Sequence, residues 1–475
     1  MSSALPYNLP PGSKIYIVGL GGIGTSAIAQ WLKDLGAQVS GTDAVASDIT
    51  NWLNQVGIPV QTGAPVSPKD PPQLLIYSDS VSPDHPLRQF ADQHNIPQYS
   101  YAEALGELTR GFVTIAISGS HGKSSTTAMT GLLLESLGLD PTVVIGTRVP
   151  QWQNQNQLGN YRPGQSKICV VEADEYRDHF HYLSPYIAVI TSIDHDHVDA
   201  FPTAADYLKT FQQFIAKISP VGTIVIEQQA HDLLKSHLHQ LKEITYTISA
   251  PYQSNITSTP PVIKNHQQSF ALTINGVQSP QISLAVPGQH MIANLLAACG
   301  CALAITDLIP KISIPAIIAA TKKFAADFHG TWRRFESIGT FNQAPAFSDY
   351  AHHPTEIAAL IASVQQFYPD RRLVLALQPH HHNRARAFAA DFKQVLKNNL
   401  KTQDQIVFVE VYGVPGRENQ AEAITTQDWA KEFSAPFVPT LDQLKPTLQP
   451  LVKSDDILVF AGAGDIDAIA RQIVD

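Results

Sequence analysis

Lys123 and Ser124 stand at the centre of the stretch GSHGKSSTT, residues 119–127, in which Gly119 and Gly122 supply the bends. A lysine amine reaches terminal phosphates, a serine hydroxyl ligates magnesium, and N–H groups at a helix start attract anions. The usual phosphate loop has a glycine five places before its Gly-Lys pair. Here that place is Ile117, so the loop is two residues short. A turn of purely structural use would leave the run Lys-Ser-Ser-Thr-Thr unexplained. The stretch therefore reads as a mononucleotide site that also includes Ser120, His121 and Ser125.

Three other groupings carry chemistry. VGLGGIG places Gly19, Gly21, Gly22, Ile23 and Gly24 before Asp43, as in a dinucleotide fingerprint, although a bare tight turn fits too. With ATP at the second loop, the first is left for another phosphate-bearing ligand such as a UDP moiety. Glu172 in VVEADEY and His197 in SIDHDHVD lie near successive strand ends, where they can join Ser124 around magnesium. A hydrolytic metal centre on Asp194, His195, Asp196 and His197 is the rival reading. Further on, Arg334 suits a terminal phosphate, Asp349 a ribose hydroxyl, and His380 with Arg384 a carboxylate.

These residues need parallel strands to hold them. KIYIVG, AQVSGTD and QLLIYSDSV read as strands of a first helix-flanked sheet running to about residue 108. FVTIAISG, KICVVEAD and YIAVITSID start a second, and ligand groups of such sheets gather at strand carboxyl ends. Residues 250–290 read as partly antiparallel, with helices at about 290–305 and 312–324 closing the unit. APAFSDYAHHP, RRLVLALQPHHH, DQIVFVEVYG and DDILVFAGAGD give a third α/β unit. The expectation is three domains, 1–108, 109–328 and 329–475: Rossmann-like, a nucleotide-binding central sheet with a small antiparallel part, and Rossmann-like again.

The bulk numbers agree. A length of 475 residues allows two to four domains at ~100–200 residues each. A net charge of −9 argues against a nucleic-acid partner. Three cysteines make neither a disulfide framework nor a zinc site, and fit a reduced cytoplasmic setting. The N-terminus lacks the layout of a signal peptide, and MIANLLAACGCALAI is too short to span a bilayer, so no membrane partner is expected.

Taken in order, the motifs resemble the Mur ligase family, the ATP-dependent amide-forming ligases of peptidoglycan precursor synthesis. GSHGKSSTT is similar to its short ATP loop. EADE (Glu172) and DHVD (His197) resemble its magnesium segments, and PGQHMIAN (His290, Asn294) its adenine-contacting helix start. WRRF resembles its interdomain arginine segment at Arg334, and SDYAHHPTE its ribose segment at Asp349. The resemblance implies ATP and Mg2+ as cofactors, with Ser124, Glu172 and His197 as metal ligands. It implies a UDP-sugar on Gly19, Gly21, Gly22, Ile23, Gly24, Asp43 and Ser78, and an amino acid on His380 and Arg384, with His352 near the incoming amine. GLGGIG, EADE, DYAHHPTE and AGAGDI are most similar to the branch that adds L-alanine to UDP-N-acetylmuramate, as a monomer or weak homodimer. A tripeptide-adding branch and an NAD-dependent oxidoreductase are the alternatives. Met291, His381 and Ser192 depart from the family pattern, and Gln212 stands where several later-acting members carry a carbamoylated lysine.

Overall fold

The computed structural model describes residues 9–65, 68, 70–198, 200–248, 254–413 and 424–475. The extreme N-terminus, residues 250–253 of the expected antiparallel stretch and Asp199 of DHVD lie outside the described residues.

The described residues form four sheets. The first comprises β1 (Lys14–Val18), β2 (Gln38–Asp43), β3 (Val60–Thr62), β4 (Leu74–Tyr77) and β5 (Gln98–Ser100), all parallel in the order β3-β2-β1-β4-β5. The strand order reverses beside β1, which opens a crevice at the ends of β1 and β4. Gly19 leaves β1 there with φ +79, and a side chain on it would meet Ser78 Cβ at 2.7 Å. Only glycine fits that approach.

The central sheet contains β6 (Val113–Ser118), β7 (Thr142–Val144), β8 (Tyr161–Arg162), β9 (Ile168–Glu172), β10 (Ile187–Ile190), β11 (Thr223–Glu227), β12 (Lys242–Ile248) and β13 (Ile256–Ser258). Beyond them β14 (Val262–Lys264), β15 (Gln267–Phe270) and β18 (Ile282–Leu284) make a small antiparallel sheet. Between β15 and β18 lie β16 (Leu272–Ile274) and β17 (Val277–Gln278), which extend the central edge. β6 sits between β9 and β10, both parallel to it. Glu172 and the run Ser192–His197 therefore end beside the phosphate loop. The third sheet holds β19 (Glu336–Phe341), β20 (Ala344–Asp349), β21 (Leu373–Leu377), β22 (Gln405–Val409), β23 (Phe437–Val438) and β24 (Ile457–Ala461), in the order β19-β20-β24-β21-β22-β23. The loops carrying Asp349, Ala463 and His380 thus leave three adjacent strands.

Alternation along the buried strands explains the packing. Ile115 and Ile117 of β6 face one core with the helix Gln289–Ile305, whereas Ala116 faces a second. That second core is continuous with the first sheet, joining Ile15, Ile28 and Trp31 to Val171 and Ile190. Trp31 stacks on Tyr161 and meets Phe112 edge-on. The third sheet has cores of its own on its two faces. The expected helix near 312–324 is Ile314–Ala326, started by the Ser313 hydroxyl. β3 and β5 escape the sequence reading because three-residue edge strands show no apolar run. Among the described residues no helix is long and apolar enough to cross a membrane. The three cysteines are free and buried.

Candidate active site

The phosphate loop leaves β6 at Ser118 and turns through Gly119 (φ +130) and Gly122 (φ +80) into the helix Lys123–Ser136. A side chain on Gly122 would collide with Asn294 Oδ1, so the loop and the start of the helix Gln289–Ile305 lie in contact. Lys123 Nζ donates to Gly119 O at 2.7 Å and to both oxygens of Glu175 at 2.9 and 3.0 Å. Burial opposes the lysine charge, but the Glu175 carboxylate outweighs it and raises the lysine pKa. Glu175 also accepts from the Tyr207 hydroxyl at 2.9 Å, which is 2.8 Å from Ser120 Oγ. Ser120 and Lys123 therefore rest on one buried network. Ser192, the departure after β10, accepts the His121 N–H on its hydroxyl at 3.0 Å.

Ser124 Oγ donates to Glu172 Oε1 at 2.9 Å, and Glu172 Oε2 accepts the Gly146 N–H at 2.8 Å. Burial raises the Glu172 pKa above the ordinary carboxylate value, which a cation beside it would relieve. These hard oxygens fit magnesium. His197 stands apart from that pair. It groups with Asp174 and Glu175, whose ligand atoms and its own all lie within 4.8 Å of one another. All of Ser124, Glu172 and His197 line one cleft, but the expected trio is split into two clusters. The rival hydrolytic centre does not assemble. Asp194 faces His121 at 3.3 Å, Asp196 faces Arg384 at 3.0 Å, and His195 Nε2 lies 2.8 Å from Phe201 O.

Across from the loop stands the third sheet. A cavity of about 340 Å3 lies between them, bordered by Gly122, Ser125, His290, Asn294, Arg334 and Asp349. Met291 is buried in its wall, with Asn294 Nδ2 donating to Met291 Sδ at 3.7 Å. Asp349 takes backbone N–H groups of Phe335 and Ala351 on its two oxygens, 2.8 Å each, which aims the carboxylate. Arg334 Nη1 is 3.7 Å from Glu356 Oε1.

A separate cleft, which shares His121, Gly122, Arg334 and Glu356 with that cavity, holds Lys123, His352, His380 and Arg384. His352 Nδ1 is 2.9 Å from Tyr350 O and must donate to it, which leaves the Nε2 lone pair. Burial lowers its pKa to about 4, and lowers that of His380 to about 2, so both rings are neutral. His380 therefore offers a hydrogen bond rather than a charge. Arg384 supplies the charge, although its guanidinium also holds Asp196 and lies 3.3 Å from His197 Nδ1. His381 is buried with φ +71 at the start of the short helix carrying Arg384.

In the first unit, Gly22, Ile23, Gly24 and Ser78 line a second cleft that reaches Glu172 and Asp174. Gly19, Gly21 and Asp43 lie behind it: Asp43 Oδ2 accepts the Gly21 N–H at 2.8 Å. Asp43 Oδ1 likewise takes the Val45 N–H at 3.2 Å, so the carboxylate braces its own loop. Glu175, Tyr207 and Glu356 are not singled out by the sequence reading, and Asp196 enters it only as part of the rival metal centre, not as a partner of Arg384. Glu356 completes a capping box with His353 at the N-cap, a pairing that the usual Ser or Thr signature does not flag.

Comparison with known proteins fixes the class. Models of the Mur ligase family match three stretches: the catalytic domain over 14–113, the middle domain over 117–302, and the glutamate ligase domain over 333–464. The chain belongs to the Mur ligase family. It is 33% identical over 466 residues to UDP-N-acetylmuramate–L-alanine ligase of Aquifex aeolicus, covering 97% of both chains. With the enzyme of that name from Geobacter sulfurreducens it shares 34% over 463 residues, 95% of each chain. The crystal structure of UDP-N-acetylmuramate–alanine ligase from Thermotoga maritima superposes with TM-score 0.77 at 25% identity, covering 97% of this chain and 98% of that one. A murein peptide ligase from Psychrobacter arcticus shares the fold, with TM-score 0.68 at 20% identity over 97% and 98% of the two chains.

Proposed function

We propose that this chain is an ATP-dependent ligase that joins L-alanine to the carboxylate of UDP-N-acetylmuramate in peptidoglycan precursor synthesis. The observation that carries the reading is the cleft running unbroken from the phosphate loop, past Arg334, to neutral His352 and His380 and charged Arg384.

The γ-phosphoryl group passes from ATP to a muramoyl carboxylate oxygen, forming an acyl phosphate and ADP. The alanine amine then attacks the acyl carbon, the new C–N bond replaces the C–O bond to phosphate, and phosphate leaves. Lys123 and Arg334 offset the charge of the transferring group. Ser120, His121, Gly122 and Ser125 shape the loop around the phosphates, Asn294 borders the base, and Asp349 takes the ribose. Magnesium held by Ser124 and Glu172, with His197 adjoining, would neutralise phosphate oxygens. His352 accepts the amine proton on Nε2, while Arg384 and His380 hold the amino-acid carboxylate. The UDP-sugar lies in the cleft of Gly22, Ile23, Gly24 and Ser78, whose far end at Glu172 meets the phosphate loop. Water must be excluded while the acyl phosphate exists, which suits a site enclosed between two sheets. We place the reaction in the cytoplasm.

The test is incubation with UDP-N-acetylmuramate, ATP and, in separate arms, L-alanine, glycine, L-serine and the stem tripeptide. The expected outcome is alanine-dependent phosphate release with a UDP-sugar product heavier by one alanyl unit. Phosphate release with the tripeptide alone would transfer the chain to the peptide-adding branch. Lys123→Ala should lower kcat by at least about 100-fold with the circular dichroism spectrum unchanged.

A further inference from the structure

One carboxylate at the seam between the central and third sheets does more than its own helix requires. Glu356 stands in the first turn of the helix Pro354–Phe367. Its Oε2 accepts the N–H groups of His352 at 3.0 Å and His353 at 3.3 Å, completing a capping box. Those bonds satisfy the helix start and hold the carboxylate still. Its Oε1 points the other way, across the seam. There it meets His121 Nδ1 of the phosphate loop at 3.3 Å and Arg334 Nη1 at 3.7 Å. The far nitrogen of His121, Nε2, lies 3.3 Å from Asp194 Oδ2. Asp194, His121, Glu356 and Arg334 thus alternate in sign from the end of β10 to the interdomain arginine.

Exposed ion pairs contribute little because water and salt screen them. This one is shielded: the side chains of His121 and Glu356 are only 17% and 13% exposed. Neither contact of Oε1 serves the helix cap; the one to His121 joins segments 235 residues apart across the seam, while Arg334 stands on the same side as Glu356. Arg334 carries five N–H donors, so it can keep Glu356 while presenting others to a ligand. The cavity of Asn294 and Asp349 and the cleft of Lys123 and His352 both border His121, Glu356 and Arg334. The clasp therefore spans the point where a nucleotide's base half and phosphate half would meet.

We propose that Glu356 is a positioning residue that, through His121, sets the closed register between the phosphate loop and Arg334. This rests on the reading that the loop holds ATP. The carboxylate touches no reacting atom. It fixes how far the third sheet stands from the loop, and so the fraction of molecules in which Arg334 reaches the phosphates.

The experiment is a double-mutant cycle on Glu356→Gln and His121→Asn, read by affinity for a non-hydrolysable ATP analogue and by KM for ATP and kcat. Each single variant should weaken analogue binding roughly tenfold, and the double variant should be no weaker than the worse single, because a clasp once open cannot open again. KM for ATP should rise with kcat falling less. Losses that multiply in the double variant would overturn the proposal, as would a Glu356→Gln protein with a lowered melting temperature but unchanged binding. His121→Asn leaves the helix cap intact, so unchanged analogue binding in that variant alone refutes the clasp even if Glu356 variants fail to fold. Analogue binding needs neither amine nor UDP-sugar. A wild-type protein that binds the analogue but makes no alanyl product would remove the ligase reading while leaving the clasp to stand or fall by the cycle. Wild-type protein that binds no analogue would remove both.

Discussion

Lys123 does not wait as a bare cation; Glu175, fully buried, already holds it with two hydrogen bonds. A phosphate arriving at the loop exchanges with a resident anion, so a lone small anion gains little there. Replacing Glu175 by Gln removes the carboxylate bonded to the lysine and leaves only Asp174 and Glu172 to offset its charge, toward the roughly 3–5 kcal/mol lost where one partner of a buried pair is removed. Urea unfolding of Glu175→Gln should show that loss, and an ATP analogue should stabilise the variant more than the wild type. Equal midpoints would mean the pair is without energetic weight. The sequence displayed Lys123 and Ser124 because their offsets from Gly119 and Gly122 are fixed by the turn. Of the two glutamates of EADE it singles out Glu172 and gives Glu175 no role. Glu172 ends a strand and meets Ser124, whereas Glu175 lies where the chain leaves regular structure, just before Arg177 and Asp178 at φ +50 and +60. That path is set by packing against Tyr207, not by local residue type.

At the level of elements, strand ends were legible and the facing of side chains across sheets was not. Buried runs with glycine or acidic punctuation marked β6, β9, β10 and β20, so the gathering of their ends followed from parallel pairing alone. Which carboxylate would reach His121 from another sheet required the third unit to be placed. The result has a pH signature. Burial opposes a charge on His121, but Asp194 and Glu356 outweigh it and push its pKa up to about 9 from the ordinary 6.5. His353 and His290 also border the ring, both with lowered pKa values because of burial. A pKa raised on folding contributes stability that is whole below about 6.5 and is lost as pH rises through about 9. The stability difference between wild type and His121→Asn should accordingly shrink between those two values. A difference constant over that range would show the ring to be neutral throughout.

On the scale of the whole molecule, the first and central sheets share one apolar core, while charged pairs such as His121–Glu356 and Asp196–Arg384 link the central sheet to the third. Interfaces of the second kind admit relative motion more readily. Residues 146–148 tie the units together. The Gly146 N–H goes to Glu172, Arg148 Nη2 to Asp48 of the first unit at 2.6 Å, and Thr147 Oγ1 to Trp332 O at 3.1 Å. Trp332 N–H returns to Arg148 O at 2.9 Å, and the guanidinium lies 4.5 Å over the indole. Arg148→Ala should weaken the dependence of nucleotide affinity on UDP-N-acetylmuramate, from a coupling in the usual range of roughly 5–150-fold toward none. Calorimetric titration of the analogue with and without the UDP-sugar reads this directly, and an unchanged ratio would clear Arg148 of the role. Mechanically, this turn acts as a pin through three plates. Glu172, bonded to the pin at Gly146, therefore shares its anchor with Asp48 of the first plate and Trp332 of the third.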